Sequence, residues 1–491
     1  MERGPHEGVV LALACAGSFV VILDATIVSV ALPAIRFGLG FPDAALTWVV
    51  NAYTLVFAGF LLLGGRLCDG FGVRRIFVLG MSLFTVARLA AGLAGSPETL
   101  LVARAVQGFG GALLMPVTLS LLTTTFTEPA RRVRALGTWS AVGAAAAAAG
   151  PVIGGLLTQW AGWRWVFFVS VPIGVVAVFV AGAVLPLRDR SRLRGRLDVL
   201  GAVLSVTGLV GVVYAVMRSS ADGWGSGSVL LPLIGGVVLL GVFVLHQHRW
   251  ADEPLVALGI FRLRSVSSGN VVIFLLGLGF FASPIMLSLY LQDVHGYSPL
   301  RAGLAYLPVG AAMFAGARTA SGLSVRIGPR RAAALYCAIG AVGFAGVAAL
   351  AGAHSSYVVS VLVPGMVFGF GTAAAFTPIT VAATSGVPER QNGLAAGLLN
   401  TVRQTSSALG LAALTALAAA VTASSPSGLP KGEALVHGYT AAFLASAACL
   451  AAAAVVAAVA MPGLSSPPRG RAGRPVHGTK DSPQGSPRGG R

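Results

Sequence analysis

The chain has 491 residues, of which 56% are hydrophobic and 10% charged, with a formal net charge of +18 and a mean hydropathy of +0.83. Ordinary soluble domains carry about 25% charged residues, so a water-soluble globular protein is excluded and most of the surface must face lipid. Long unbroken apolar runs such as 438–461 exclude an outer-membrane barrel, whose strands alternate in polarity over roughly 10 residues, and require an all-α membrane protein.

The first apolar run continues to Ile35, too long for the apolar core of a signal peptide, and reads as an uncleaved first span. Apolar windows bounded by charge, Gly or Pro then place spans near 8–35, 44–65, 76–95, 98–122, 134–158, 164–186, 198–217, 228–248, 266–292, 300–324, 332–352, 356–384, 393–421 and 438–461. With an even number of spans both termini share a side. Of the 34 basic residues, 25 fall in loops on that side and 5 on the other (Arg36, Arg164, Arg218, Arg301, Lys431), while Arg88, Arg104, Arg318 and Arg403 lie inside spans. The excess of positive charge predicts cytoplasmic termini in the cytoplasmic (inner) cell membrane. The net charge therefore describes one leaflet face meeting anionic lipid, and no nucleic-acid partner is implied. The tail from Pro462 to Arg491, rich in Pro, Gly, Ser and Arg, lacks the apolar surface to order itself.

Cys15, Cys68, Cys337 and Cys449 show no metal or disulfide spacing. The sequence has no HExxH helix and no GxxxxGK[ST] phosphate loop, so an ATP-driven pump and a metalloprotease lack their signatures. No cofactor and no enzymatic activity are expected.

Two stretches repeat at a nearly constant offset. Gly72, Arg74 and Arg75 after the second span recur as Gly328, Arg330 and Arg331, 256 positions later, and Gly108-Phe109-Gly110 ahead of Pro116 recurs as Gly369-Phe370-Gly371 ahead of Pro378, at an offset of 261. Both members of each pair lie on the same side of the membrane, so two six-helix bundles related by a pseudo-two-fold axis along the membrane normal are expected, the arrangement of major facilitator halves. The predicted division is 1–186, a two-helix insert over 187–250, 251–461, and the tail 462–491. Two rigid bundles around a central site suit alternating access.

Asp24 is the sharpest signal, the one acid placed within a span, where an isolated charge costs roughly 2.5–3.5 kcal/mol. Burial favours its protonated form and a nearby Arg104 on the fourth span its ionised form, a competition suited to proton coupling. A permanent structural pair is the other reading. Arg88 and Arg318 lie nearer helix ends and read as snorkelling side chains. Arg403, with Asn400 and Gln404, lies well inside the thirteenth span and suits either a cavity wall or a gate. Gly150, Pro151, Gly154 and Gly155 allow a close, interrupted helix contact suited to a gate. Asp69, Arg74 and Arg75 form a charge cluster able to latch the bundles. Trp48, Asn51, Tyr53, Gln107, Met115, Asn270, Phe274, Met286, Tyr290, Phe368 and Phe376 offer an aromatic, adaptable lining for an amphipathic substrate.

Several of these segments are known from one family. Leu23-Asp24-Ala25-Thr26-Ile27-Val28-Ser29-Val30-Ala31-Leu32-Pro33, the loop from Gly65 to Arg75, Arg104 with Gln107-Gly108, Gly137-x8-Ala146-x3-Gly150-Pro151-x2-Gly154-Gly155, and the run from Trp163 to Pro172 together resemble the 14-span drug:proton antiporters of the major facilitator superfamily, the EmrB/QacA type, over roughly residues 8–461. The resemblance implies a proton-coupled antiporter exporting amphipathic drugs, antibiotics or natural products, its partners being that substrate, protons and lipid. The fifth-span motif is associated in that superfamily with export. Ala146 stands where the motif has Gly, Gly70 and Val73 replace basic loop residues, and Ser29 replaces a frequent Asn. A proton-linked nutrient importer and a non-transporting scaffold or receptor are the alternatives. With Asp24 as the only spanning acid, neutral, weakly acidic or monocationic amphiphiles are expected over dications.

Overall fold

The computed structural model describes residues 5–42, 45–185, 198–251, 254–256, 258–385, 387, 392–426 and 428–462, and these form helices and connecting turns with no strand among them. The first half comprises α1 (Pro5–Leu39), α2 (Trp48–Phe71), α3 (Val73–Gly92), α4 (Pro97–Thr125), α5 (Pro129–Trp160), α6 (Trp165–Phe168) and α7 (Val171–Val184). The insert is α8 (Val199–Asp222) and α9 (Gly227–Arg249). The second half comprises α10 (Arg264–Phe280), α11 (Ser283–Leu289), α12 (Pro299–Ile327), α13 (Pro329–Leu350), α14 (Val363–Thr384), α15 (Asn392–Ala423) and α16 (Lys431–Ala460). Among the described residues thirteen helical stretches are long and apolar enough to cross a membrane. The second of the fourteen expected spans corresponds to α2, 24 residues long and apolar over Trp48–Leu61 among its described residues. Its polar end carries the Arg66 side chain, which donates to the carbonyl oxygen of Pro254 at 2.8 Å. Two spans are interrupted. The sixth breaks between α6 and α7, and the ninth continues from α10 through α11 into a π-helical turn over Tyr290–Val294.

Helix ends follow local chemistry. Ser96 caps α4, which has Pro97 in its first turn, in a reciprocal pair with Thr99, and the Ser298 hydroxyl accepts from the Arg301 N–H at the start of α12. Gly72 and Gly328 join α2 to α3 and α12 to α13 with φ of 87° and 85°, values that only glycine adopts without strain. The loop glycine of the repeat thus makes the same left-handed turn twice.

The helix crossings repeat too. A methyl group added at Gly110 would stand 2.7 Å from the Phe84 nitrogen, and one at Gly371 2.4 Å from the Gly340 nitrogen; Gly108 meets the Tyr53 carbonyl oxygen at 2.4 Å where Gly369 meets that of Val309 at 3.0 Å. Each pair is related by the offsets of 256 and 261. Small residues here let α4 approach α2 and α3, and α14 approach α12 and α13, to backbone contact. The insert packs as a pair through Gly208, Gly211 and Gly236, and α8 lies against α2 and α15 through Val213, Met217, Leu55, Ala408 and Ala412. Large apolar side chains such as Phe179, Leu231 and Val242 remain exposed on the outer faces, as a lipid-facing surface requires.

Candidate functional site: a buried charge triad and a closed seam

The face from which α1 and α5 start, where Arg131 pairs with Glu7 at 3.4 Å, is termed the terminal face; the opposite one is the distal face. Asp24, midway along α1, has no exposed surface and is gripped by two guanidinium groups. Arg104 Nη1 of α4 donates to Asp24 Oδ2 at 2.6 Å and to Gln107 Oε1 at 2.9 Å, while its Nε donates to the Val49 carbonyl oxygen at 2.8 Å. Arg88 Nη1 of α3 donates to Asp24 Oδ1, and its remaining nitrogens donate to the carbonyl oxygens of Val166 and Phe167. The Tyr53 ring lies 4.6 Å from the Arg104 guanidinium carbon, and the rings of Phe84 and Phe167 each lie 5.9 Å from that of Arg88.

Removing such ions from water costs several kcal/mol each, and only mutual attraction with completed hydrogen bonds offsets the penalty. One carboxylate between two guanidinium groups leaves a net charge of +1. A proton added to Asp24 would leave both arginines without an anion, so the proton occupancy of one side chain bears on contacts reaching α1, α3, α4 and the break after α6.

Arg88 corrects the snorkelling expectation. It sits only one turn from the end of α3, but the broken sixth span folds its carbonyl groups over the guanidinium and leaves it 1% exposed. The sequence held a signal for this: Phe77, Met81, Phe84, Arg88 and Ala91 recur at helical spacing, and all five are buried. Arg318 is exposed beside the Phe314 ring, as a snorkelling side chain would be.

The seam between the halves closes at the distal end. A methyl group at Gly155 of α5 would meet the Pro299 carbonyl oxygen at 2.5 Å, and one at Gly303 of α12 would meet that of Pro151 at 2.3 Å; Gly150 and Gly154 press equally closely on Thr26 and Ile27 of α1. Arg36 pairs with Asp293 at 3.2 Å across the same end, and Gln292 donates to the Val30 carbonyl oxygen at 3.3 Å. Toward the terminal face, methyl groups at Gly137, Gly310 and Gly322 would meet nothing within 4 Å.

Residues 14–411 match the family description Major Facilitator Superfamily. The chain belongs to that superfamily. It is 40% identical over 421 residues to the cephamycin export protein CmcT of Amycolatopsis lactamdurans, covering 85% of this chain and 86% of that one. It is 37% identical over 442 residues to the puromycin resistance protein pur8 of Streptomyces alboniger, covering 88% and 87%. Among solved structures it resembles a bacterial homologue of the human lysosomal transporter Spinster in an inward-facing and occupied conformation, with a TM-score of 0.67, 15% identity and coverage of 94% and 97%. It also resembles a D-xylose–proton symporter, with a TM-score of 0.66, 13% identity and coverage of 93% and 98%. The chain is a multi-pass membrane transporter and not an enzyme.

Other sequence-selected residues fall in several environments of this superfamily fold. Tyr53 and Gln107 both contact Arg104 of the triad. Trp48 and Asn51 face the insert, with Trp48 against Tyr214 and Asn51 donating to the Met217 sulfur at 3.7 Å. Phe368 has no exposed surface and stacks on Phe344 at 4.3 Å. Met286 is buried, and Tyr290 is held by Gly352 and Ser355 among Tyr439, Phe443 and His295. Phe368, Met286 and Tyr290 have almost no surface to offer a substrate in this state, because helix packing takes their rings and chains. Met115 and Phe274 are half-buried, and Asn270 donates to the Val266 carbonyl oxygen. Phe376 joins Phe280 and Phe281 and underlies Arg403, which donates to Asn400; Gln404 is half-buried one residue on. Of the expected latch, Arg74 donates to the Gly182 carbonyl oxygen within its own half, Arg75 is exposed, and the side chain of Asp69 lies outside the described residues, as does the tail beyond residue 462.

Sequence reasoning passed over Asp293. It stands near the distal end of the ninth span and reads from its index alone as an ordinary interfacial charge. Its pairing with Arg36 joins α1 to the second half and has no signature in either segment.

Proposed function

We propose that this chain is a proton-coupled antiporter of the 14-span drug:proton type, exporting amphipathic drugs, antibiotics or related natural products across the cytoplasmic membrane by alternating access. The observation that carries the reading is Asp24 held between Arg88 and Arg104 on a helix that also packs against the glycine-lined distal seam. Protonation of Asp24 loosens α1 from α3 and α4 and thereby biases the seam; deprotonation restores both ion pairs. Export as the direction accords with relatives named for cephamycin export and for tetracenomycin C resistance and export.

The excess of Arg and Lys in the loops of the terminal face puts both termini in the cytoplasm. The units are residues 1–186, the insert 187–250, residues 251–461 and the tail 462–491. No cofactor and no protein partner is required. A potential of about 100 mV supplies roughly 2.3 kcal/mol per charge and one pH unit about 1.4 kcal/mol, enough for one proton to sustain a gradient of several hundredfold for a neutral substrate. The test is pH-driven uptake of ethidium and rhodamine 6G, and of a panel of antibiotics, into inside-out proteoliposomes. Accumulation abolished by a protonophore supports antiport, uptake in the opposite sense supports the importer, and no flux for any compound supports a non-transporting role.

A further inference from the structure

Three arginines lie deep in membrane-spanning helices near the molecular interior, and they are not equivalent. Arg88 and Arg104 share Asp24. Arg403, in the terminal-face half of α15, has no carboxylate within ion-pair distance among the described residues. Its Nη2 donates to the Asn400 side-chain oxygen, its guanidinium carbon lies 6.0 Å from the Phe376 ring, and its Nε is buried with no hydrogen-bond partner. The side chain as a whole is half-buried.

An arginine in that setting is costly to hold. Its charge sits inside a spanning helix, where such residues pair with an anion or line a pathway. Among the described residues of the second half the acids are Asp293 and Glu433, and both stand at the distal ends of their spans. The walls beside it are aromatic, with Phe280, Phe281 and Phe376 in mutual ring contact. An unsatisfied planar cation next to an apolar aromatic surface is complementary to a planar anion carried on an apolar body.

We propose that Arg403 is the recognition point for a carboxylate or similar planar anionic group on an amphipathic substrate, whose apolar body lies against the Phe376 cluster. This rests on the exporter reading and sharpens it, by making amphipathic organic acids the preferred cargo class. The ligand supplies the counter-charge the fold omits. A dication meets Arg403 as a like charge.

The experiment measures binding first and transport second. The full-length protein in detergent is titrated with 7-(diethylamino)coumarin-3-carboxylic acid and with its ethyl ester, which differ in the anionic group, and the change in dye fluorescence is followed. The acid is expected to bind about tenfold or more tightly than the ester, the scale of a charge-assisted hydrogen bond. Arg403→Gln should erase that difference while leaving ester affinity unchanged, and ester binding then reports that the protein is folded. Arg403→Lys, which keeps the charge and loses the planar fork, should restore part of it. Equal binding of acid and ester by the wild-type protein, no binding of the acid at millimolar concentration, or a preference for the acid that survives Arg403→Gln would overturn the assignment. Equal weakening of both dyes in Arg403→Gln would also overturn it and show a packing role. Proton-driven uptake of the two dyes is measured separately: preferential binding without any uptake would remove the exporter reading and leave the anion site standing.

Discussion

The two halves share helix crossings but fill them differently, and the contrast locates the chemistry. Arg88 and Arg104 reach Asp24, and Gln107 accepts from Arg104, around the α3–α4 crossing. At the repeat offsets the second half has Phe344 for Arg88, Gly365 for Arg104 and Phe368 for Gln107, and the two phenylalanine rings stack at 4.3 Å. The backbone contacts of Gly110 on Phe84 and Gly371 on Gly340 are preserved meanwhile. The same crossing thus holds a buried charge cluster in the first half and a stacked pair of phenylalanines in the second. Proton sensitivity should be a property of the first half alone.

The sharpest way to break this comparison is Asp24→Asn. The change leaves two buried guanidinium groups with no anion, and an uncompensated buried charge costs about 3–5 kcal/mol. Proton-driven transport should vanish and the melting temperature in detergent should fall. Arg88→Met should cost less, because Asp24 and Arg104 remain as a balanced pair; the loss comprises the second ion pair to Asp24 and the hydrogen bonds to Val166 and Phe167, about 1–3 kcal/mol. A melting order with Arg88→Met below Asp24→Asn would contradict the reading of Asp24 as the shared anion.

Phe344→Ala is the mirror experiment in the second half. Between helices in lipid the hydrophobic transfer contribution falls away and chiefly the lost packing remains, so about 1–3 kcal/mol is expected. The pH dependence of transport should be unchanged. A shifted pH profile in a folded Phe344→Ala protein would show that the aromatic side also takes part in coupling.

Much of this architecture is readable before any coordinates. The duplicated Gly72/Gly328 turn and the Gly-Phe-Gly runs reveal two halves, because a left-handed turn and a backbone-to-backbone crossing both demand glycine whatever surrounds them. Asp24 with Arg104 is readable because intramembrane charge is rare. Arg88 is harder to place. Its index on α3 suggests the interface, and only the breaking of the sixth span into α6 and α7, which brings two carbonyl groups over it, explains its burial. Trp48 and Asn51 mislead for another reason: α2 has one face toward the insert, and no sequence periodicity says which polar side chain faces α8 and which faces the cavity.

Along α5 the contrast lies between two ends of one helix. Gly155→Ala would drive a methyl group to 2.5 Å from the Pro299 carbonyl oxygen, a backbone atom that cannot swing aside, whereas Gly137→Ala meets nothing within 4 Å. Overpacking of this kind costs about 1–3 kcal/mol. Gly137→Ala should be neutral or stabilising by up to about 1 kcal/mol through helix propensity. Cysteine-accessibility labelling from the distal side checks the consequence: Gly155→Ala should open the seam and raise labelling at position 300, and Gly137→Ala should not.

The smallest effect concerns the insert, which belongs to neither half. Asp198 caps α8 by accepting from the Gly201 N–H at 2.8 Å, and it also meets Gln247 and, at 2.8 Å, His246 of α9. The Gln247 side-chain oxygen in turn accepts from the Val256 N–H at 3.0 Å, so one carboxylate ties both inserted helices to the segment that leads into the second half. Burial pushes the Asp198 carboxyl up, but the hydrogen bonds from Gln247, Gly201 and His246 outweigh it and hold the group below the ordinary carboxylate value. A depressed acid contributes stability that is fully present above its unfolded value, about 3.9, and is lost as the pH falls through the lower folded value. Asp198→Asn should therefore cost about 1 kcal/mol near neutrality. Its melting curve should converge with that of the wild-type protein only below about pH 4. Convergence already at pH 6 would mean that the Asp198 charge is not what ties the insert down.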